Sequence, residues 1–278
     1  MTLADVPLTV LPSAVIGALG YALWRARTET KQVRRRLESA MASLERLQLS
    51  FGRFAPQEVV ERIIARGVST SAEKKTITVL FADLVGFTSL SERVEPALLV
   101  EILNGYFAHM SQAIAEHRGH VSKFIGDGVL ALFGALEPNP WQADDAVCAA
   151  IAMRDALERY NEELALLGRP ALKVGIGLHH GVAVVGVIGS EELVEFTVIG
   201  STVNLASRVE QLTRRHATDI LITTAVREAL DARFALRELP ATAVAGVSEP
   251  VVTYAVEGVL PGQRTRGAVG DRGTLAAR

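Results

Sequence analysis

Two aspartates stand where a predicted strand meets a turn, and carboxylates in such positions can bind metal ions. Asp83 ends the apolar run TITVLFAD, and Asp127 lies in the Gly-Asp-Gly turn of VSKFIGDGVLALFG. Taken singly, an aspartate at a strand end is more often a turn or cap residue. Two carboxylates on adjacent elements, beside glycines that let a phosphate approach the backbone, favour a pair of Mg²⁺ ions instead.

The pattern around these residues predicts an α+β domain of the ferredoxin-like type. A strand at 76–83 is followed by a helix at 96–118, and two apolar runs around Gly-Asp-Gly predict a hairpin. A second helix at 141–167 leads to a strand pair within 172–188 that turns at Gly181. Strand, helix, two strands, helix and strand is the βαββαβ order of that fold. The first strand would lie beside the hairpin, so we expect the two aspartates to face a common point.

Four ordered segments resemble the catalytic domain of class III nucleotide cyclases. They are FADLVGFT at 81–88, KFIGDGVLALFG at 123–134, GLHHGVAVVGVIG at 177–189 and FTVIGSTVNLASRVE at 196–210. Four motifs in the family's order and spacing are much more specific than any single one. We therefore expect a cyclase catalytic domain at 76–258, a connector at 56–75 and a disordered tail at 259–278.

The resemblance implies two-metal catalysis that converts ATP to 3′,5′-cyclic AMP and pyrophosphate. Asp83 and Asp127 would bind two Mg²⁺ or Mn²⁺ ions, with the backbone carbonyl of Leu84 as a further ligand. Asn204 would orient the ribose, and Arg208 would stabilise the pentavalent phosphate. In this family the sites form at a head-to-tail dimer interface, so the resemblance implies a homodimer whose lone subunit is inactive.

Two further residues bear on the choice of base. Lys123 matches the lysine that reads adenine, where guanylyl cyclases place glutamate. Thr197 stands where many adenylyl cyclases carry aspartate and guanylyl cyclases carry cysteine, and its hydroxyl can accept a hydrogen bond from the adenine amino group. ATP is therefore favoured over GTP. Threonine here also resembles a subgroup in which several members respond to bicarbonate, so bicarbonate or CO₂ is a candidate effector.

Two alternative functions stay open. One is a guanylyl cyclase or another palm-like nucleotidyl transferase, which analysis of the product would identify. The other is a catalytically weak module that binds nucleotide and transmits a signal, because Ala245 stands where relatives usually carry a lysine that reaches the triphosphate. Arg237 is a candidate substitute for that cation. The enzyme is favoured because the sequence retains Asp83, Asp127, Asn204 and Arg208 together.

The N-terminal part of the sequence predicts a transmembrane helix within residues 1–24. Residues 8–24 contain no charge over 17 residues, which is near the lower limit for crossing a hydrocarbon core about 30 Å thick. Six basic residues within 25–36 follow this run, so the positive-inside rule predicts a single-pass protein of the cell membrane with a cytoplasmic catalytic domain and the N-terminus outside. A buried or interfacial helix is the alternative.

The region 25–55 predicts a parallel coiled coil after the basic stretch. Its apolar residues recur in alternating steps of four and three, which is the spacing of an a/d seam. An amphipathic helix that packs on its own domain is the alternative. The seam consists of Val33, Leu37, Ala40, Leu44, Leu47, Phe51 and Phe54.

Composition argues against several other kinds of site. The single cysteine, Cys148, excludes a disulfide framework and a cysteine-based zinc site. The net charge of −2 combines cationic end segments with an acidic body, and an acidic body argues against a nucleic-acid-binding surface. His179 and His180 are adjacent on a predicted strand, so their side chains would point to opposite faces and do not predict a metal site.

Overall fold

The computed structural model describes residues 72–189 and 194–260, together with scattered positions between 21 and 43. The chain divides into two compact units, residues 1–60 and 61–278. In the first unit the described positions are helical and exposed. Contacts between residues four apart accompany this helix: Arg34 Nε lies 3.0 Å from a carboxylate oxygen of Glu38, and Ser43 Oγ donates to the carbonyl of Ser39.

Most of the predicted anchor and coiled coil lies outside the described residues. This holds for all seven predicted seam positions and for the predicted span except Tyr21 and Trp24. Within the residues that could be searched, no helix is long and apolar enough to cross a membrane. The membrane anchor and the coiled coil therefore stay predictions.

The second unit contains a mixed β-sheet and five described helices. The strands are β1 (Glu73–Leu84), β2 (His120–Ile125), β3 (Gly128–Phe133), β4 (Val174–Gly189), β5 (Val194–Ile199), β6 (Ile220–Thr223), β7 (Phe234–Thr242) and β8 (Val251–Val259). The helices are α1 (Phe87–Ser91), α2 (Pro96–Glu116), α3 (Gln142–Leu166), α4 (Ser201–His216) and α5 (Thr224–Ala229).

The order of the strands matches the predicted βαββαβ arrangement. The sheet runs β2-β3-β1-β4-β6-β8-β7, with β5 paired to β4 off this path. Its first four strands, with α2 and α3 between them in the chain, form the predicted core, and β6 to β8 extend it. Every described pair is antiparallel except β4 with β6. The first strand thus lies directly beside the hairpin strand β3.

One strand prediction is wrong. The sequence predicts a strand pair that turns at Gly181, but β4 is a single strand of 16 residues. It pairs with β1 along Val174–Val185, and its later part pairs with β5. A Cβ at Gly181 would lie 2.9 Å from Oγ1 of Thr202 in α4. The glycine therefore serves the close approach of a helix rather than a turn.

Two strands extend slightly past the predicted bounds of the catalytic domain, and the domain bounds themselves stay predictions. β1 begins at Glu73, inside the predicted connector, and β8 ends at Val259, the first residue of the predicted tail. The rest of the connector up to residue 71, and the tail from residue 261, lie outside the described residues.

Side chains on both faces of β1 are buried in its middle part. Leu80 and Ala82 belong to the core that α2 and α3 share with the sheet. Ile77 and Val79 point to the other face and share a cluster with Ala206 of α4. Because helices cover both faces of this part of the strand, residues 77–80 are all buried.

Glycine brings α4 unusually close to the sheet. A Cβ at Gly177 of β4 would lie 2.6 Å from Cα of Glu210 and 2.7 Å from the carbonyl oxygen of Ala206. No side chain fits in that space, so the helix packs backbone to backbone against the strand. This contact positions the helix that carries Asn204 and Arg208.

Candidate active site

The first strand and the hairpin bring Asp83 and Asp127 to the same place. Ala82 of β1 is paired with Val129 of β3, and Gly126 takes a φ of 63° that allows the tight turn between β2 and β3. Oδ2 of Asp127 accepts a hydrogen bond of 3.2 Å from the backbone NH of Leu84. The hairpin turn is therefore tied to the end of β1, as the predicted pairing requires.

The surroundings of Asp83 and Asp127 favour the binding of a cation between the two carboxylates. Burial, and then the neighbouring Asp83, raise the pKa of Asp127 to about 6. Tyr106 of α2 is fully buried, and its hydroxyl has no hydrogen-bond partner within the described part of the chain. Burial and the two aspartates raise the pKa of this phenol, so it stays neutral. A cation between the aspartates would relieve their mutual repulsion.

The end of β1 is in contact with an arginine that the sequence did not single out. Nη2 of Arg214, in α4, donates to Oδ2 of Asp83 at 2.8 Å and to the carbonyl oxygen of Leu84 at 3.5 Å. Nη1 of Arg214 donates to Oε1 of Glu210 at 2.7 Å. The guanidinium thus contacts both groups of β1 that are predicted to bind a metal ion.

Glu210 is a second residue that sequence reasoning missed. Its side chain is buried one turn before Arg214, and burial raises its pKa to about 7, with Asp83 acting in the same direction and Arg214 opposing it. The spacing of four residues indicates an ion pair along one helix. Nothing in that local pattern indicates that the pair reaches the end of β1.

The residues at this site fit the divalent ions that the resemblance implies. Two carboxylates and the carbonyl of Leu84 offer the hard oxygen ligands that Mg²⁺ and Mn²⁺ prefer. In the ranges that the structure describes, no group of three or more His, Cys, Asp or Glu side chains could hold a metal. A site with few protein ligands suits Mg²⁺, which is commonly bound through one or two carboxylates together with substrate phosphates.

The two adjacent histidines are held by separate partners. Nδ1 of His179 lies 2.9 Å from Oγ1 of Thr223, and Nδ1 of His180 lies 2.9 Å from Oγ1 of Thr78. These threonines belong to the strands on either side of β4, so each imidazole has its own hydrogen bond. Each histidine therefore links β4 to a neighbouring strand.

The two predicted base-reading residues lie in one region. Nζ of Lys123 in β2 lies 2.7 Å from Oε2 of Glu195 in β5. Thr197 is two residues further along β5, and residues two apart share a strand face. The ion pair is partly exposed, and such pairs contribute at most about 1 kcal/mol. Lys123 can therefore exchange Glu195 for a ligand at little cost.

Asn204 and Arg208 line a cleft of about 490 Å³ beside α4. The opposite wall is the segment 243–245, which follows β7. A Cβ at Gly246, whose φ is 68°, would lie 2.9 Å from Nη1 of Arg208, so this loop packs its bare backbone against the guanidinium. The lining residues are Asn204, Ser207, Arg208, Gln211, Leu212, Arg215, Ala243, Val244 and Ala245.

The cleft and the carboxylate pair use different faces of α4. At about 100° per residue, Glu210 and Arg214 lie about 120° around the helix from the face that carries Asn204 and Arg208. The structure therefore brings Asp83 and Asp127 together, and separately brings Asn204 and Arg208 together. Within one chain the two halves of the predicted site do not face each other.

Comparison with known proteins agrees with the resemblance. A model of the family "Adenylate and Guanylate cyclase catalytic domain" matches residues 69–258. The chain is 35% identical over 241 residues to an adenylate cyclase of Anabaena cylindrica, covering 83% of this chain and 47% of that protein. It is 31% identical over 226 residues to adenylate cyclase 1 of Rhizobium meliloti (strain 1021), covering 81% and 34%. The chain thus spans half or less of the length of these relatives.

Similar solved structures include enzymes of both base specificities. The guanylyl cyclase Cya2 is 36% identical with a TM-score of 0.65, covering 72% of this chain and 99% of that chain. The adenylyl cyclase CyaB from P. aeruginosa is 32% identical with a TM-score of 0.65, covering 71% and 100%. The overall fold is therefore compatible with either ATP or GTP as the substrate.

Proposed function

Because the chain belongs to the family of adenylate and guanylate cyclase catalytic domains, we propose that it is an adenylate cyclase that converts ATP to 3′,5′-cyclic AMP and pyrophosphate. The observation that carries the proposal is the meeting of Asp83 and Asp127 where β1 and the β2–β3 turn join. Relatives named adenylate cyclase, at 31–35% identity, support the choice of activity.

The reaction is an in-line attack of the ribose 3′-hydroxyl on the α-phosphate, with pyrophosphate as the leaving group. Asp83, Asp127 and the carbonyl of Leu84 would hold two Mg²⁺ or Mn²⁺ ions. Bound there, such ions supply acidification of the hydroxyl and stabilisation of the developing charge. Asn204 orients the ribose, and Arg208 offers the α-phosphate the planar fork of a guanidinium.

We further propose that each complete site lies between two copies of the chain. The separation of the two halves on different faces of α4 supports this arrangement. In a head-to-tail homodimer, one copy would supply Asp83 and Asp127, and its partner would supply Lys123, Asn204 and Arg208. Two-fold symmetry then creates two equal sites.

The choice of ATP rests on Lys123 and Thr197. Lys123 donates to Glu195 in this structure, and an adenine nitrogen is an acceptor that could take the carboxylate's place. The Thr197 hydroxyl can accept from the adenine amino group. A guanylyl cyclase is the second candidate, favoured by the 36% identity to Cya2. Membrane anchoring through 8–24, a cytoplasmic catalytic domain and a response to bicarbonate or CO₂ rest on the sequence alone.

The test is an assay of the full chain with ATP and with GTP, in Mg²⁺ and in Mn²⁺. We expect cyclic AMP as the main product and a loss of about 100-fold or more in Asp83→Ala, because the variant loses a metal ligand. Glu158→Ala removes an exposed carboxylate from α3 and serves as the matched control. Full activity in Asp83→Ala would refute the metal assignment, and a preference for GTP would favour the second candidate. Added bicarbonate at fixed pH tests the effector.

A further inference from the structure

The cleft beside α4 contains two guanidinium groups and, as far as the described residues line it, no carboxylate. Arg208 and Arg215 are seven residues apart on one face of the helix, with Gln211 between them. Seven residues are about two turns, so their Cα atoms are separated by about 10 Å along the axis. A concave site with two cations and no acid suits a ligand that carries several negative charges along its length.

Arg215 is available for such a ligand. Its side chain is exposed, and within residues 72–189 and 194–260 the structure shows no ion pair for it. The next residue back, Arg214, is engaged by Asp83 and Glu210. Arg237, which the sequence suggested as a substitute cation, pairs with Glu257 at 2.8 Å and does not line the cleft.

The wall opposite Arg215 is formed by small and apolar side chains. Ala243, Val244 and Ala245 line it, and none of them can neutralise a phosphate. Gly246 brings the same loop against Arg208, so the loop shapes the cleft without adding charge. The cations of this cleft therefore come from the helix side, where Arg208 and Arg215 lie.

Resting on the proposed cyclase function, we infer that Arg215 binds the β- and γ-phosphates of the nucleotide while Arg208 contacts the α-phosphate. The planar fork of an arginine matches two phosphate oxygens at once, which suits a bidentate contact to the terminal groups. After cyclisation the same guanidinium would contact the leaving pyrophosphate. Arg215 is then a substrate-binding residue that takes over the cationic role Ala245 cannot fill.

The first test is kinetic and compares two arginines. Arg215→Ala is expected to raise KM for ATP about ten-fold and to weaken inhibition by pyrophosphate by a similar factor, with a smaller change in kcat. Arg237→Ala is expected to leave both constants unchanged because that residue lies outside the cleft. An unchanged KM in Arg215→Ala, or an increase confined to Arg237→Ala, would overturn the inference.

A second variant separates a charge effect from a folding effect. Ala245→Lys places a cation on the opposite wall of the same cleft, so it is expected to restore KM when combined with Arg215→Ala. A general loss of structure in Arg215→Ala would not be rescued by this change. Failure of the rescue, with a normally folded double variant, would count against a shared phosphate role.

Binding of inorganic tripolyphosphate, measured by calorimetry, gives a readout that needs no turnover. We expect Arg215→Ala to lose about ten-fold in affinity relative to the wild type. An inactive wild type that binds tripolyphosphate through Arg215 would refute the proposed cyclase function and keep this inference. An active wild type whose tripolyphosphate affinity does not depend on Arg215 would keep the function and refute the inference.

Discussion

Asp83 is predicted to bind a metal ion, yet its carboxylate already contacts a cation from the same chain. Arg214 donates to Oδ2 of Asp83 and to the carbonyl of Leu84, and Glu210 holds the other side of the guanidinium. A metal ion bound through these two oxygen atoms would compete with the arginine for them. The ion pair with Asp83 is partly exposed, so breaking it costs at most about 1 kcal/mol. Nucleotide phosphates that add further ligands to the metal ion could offset this cost.

The first prediction is that Arg214 lowers the affinity of the nucleotide-free protein for metal. Arg214→Gln is expected to bind Mn²⁺ several-fold more tightly, because Asp83 is released from its ion pair. Electron paramagnetic resonance of free Mn²⁺ measures this directly. Arg215→Gln removes a charge from the other face of α4 and is the matched control. Weaker Mn²⁺ binding by Arg214→Gln would mean that the guanidinium helps to assemble the site.

At the scale of elements, local sequence predicted the β2–β3 hairpin correctly. It did not predict that β4 continues through Gly181 or that α4 contacts the end of β1. Gly126 and Asp127 between apolar runs indicate a tight turn, and the structure has one there. Gly181 looks like the same signal, but it is needed because Thr202 approaches the strand. The contact of Arg214 with Asp83 joins residues 131 positions apart. Neither of these two features is visible in a local pattern.

The residues of the site also divide into those that sequence motifs predict and those that only a tertiary contact reveals. The family motifs predicted Asp83, Asp127, Asn204 and Arg208. The structure brings the two aspartates together at the end of β1 and places Asn204 and Arg208 in one cleft. The motifs contain no signal for Arg215, because its relevance depends on the loop at 243–246 that closes the cleft. A residue whose role depends on a loop that is distant in the sequence can be identified only from the three-dimensional structure.

The close approach of α4 to β4 leads to a prediction about Gly177. In Gly177→Ala, the new methyl group would meet the backbone of Glu210 and Ala206, so α4 must shift. We expect a loss of about 1–3 kcal/mol in the free energy of unfolding and a lower activity, because α4 carries Asn204 and Arg208. Urea denaturation and the cyclase assay measure the two effects. Val182→Ala, an exposed change on the same strand, is the control; an equal response of both variants would contradict this account.

At the scale of the whole molecule, the two halves of the proposed site lie on different faces of α4 within one chain. The carboxylates lie at the end of β1, whereas Asn204 and Arg208 face the cleft on another side of α4. A parallel coiled coil at 25–55, if formed as the sequence predicts, would hold two chains near each other. Dimerisation would then be required for activity.

The most direct test of a shared adenylate cyclase site is to mix two inactive variants. Asp83→Ala lacks a metal ligand, and Arg208→Ala lacks the phosphate-binding arginine, so each homodimer has two damaged sites. Random mixing makes half of the dimers mixed, and each mixed dimer regains one intact site of two. The account predicts that cyclic AMP production recovers to about a quarter of the wild-type value. Mixed dimers that form, as shown by two affinity tags, but make no cyclic AMP would contradict it.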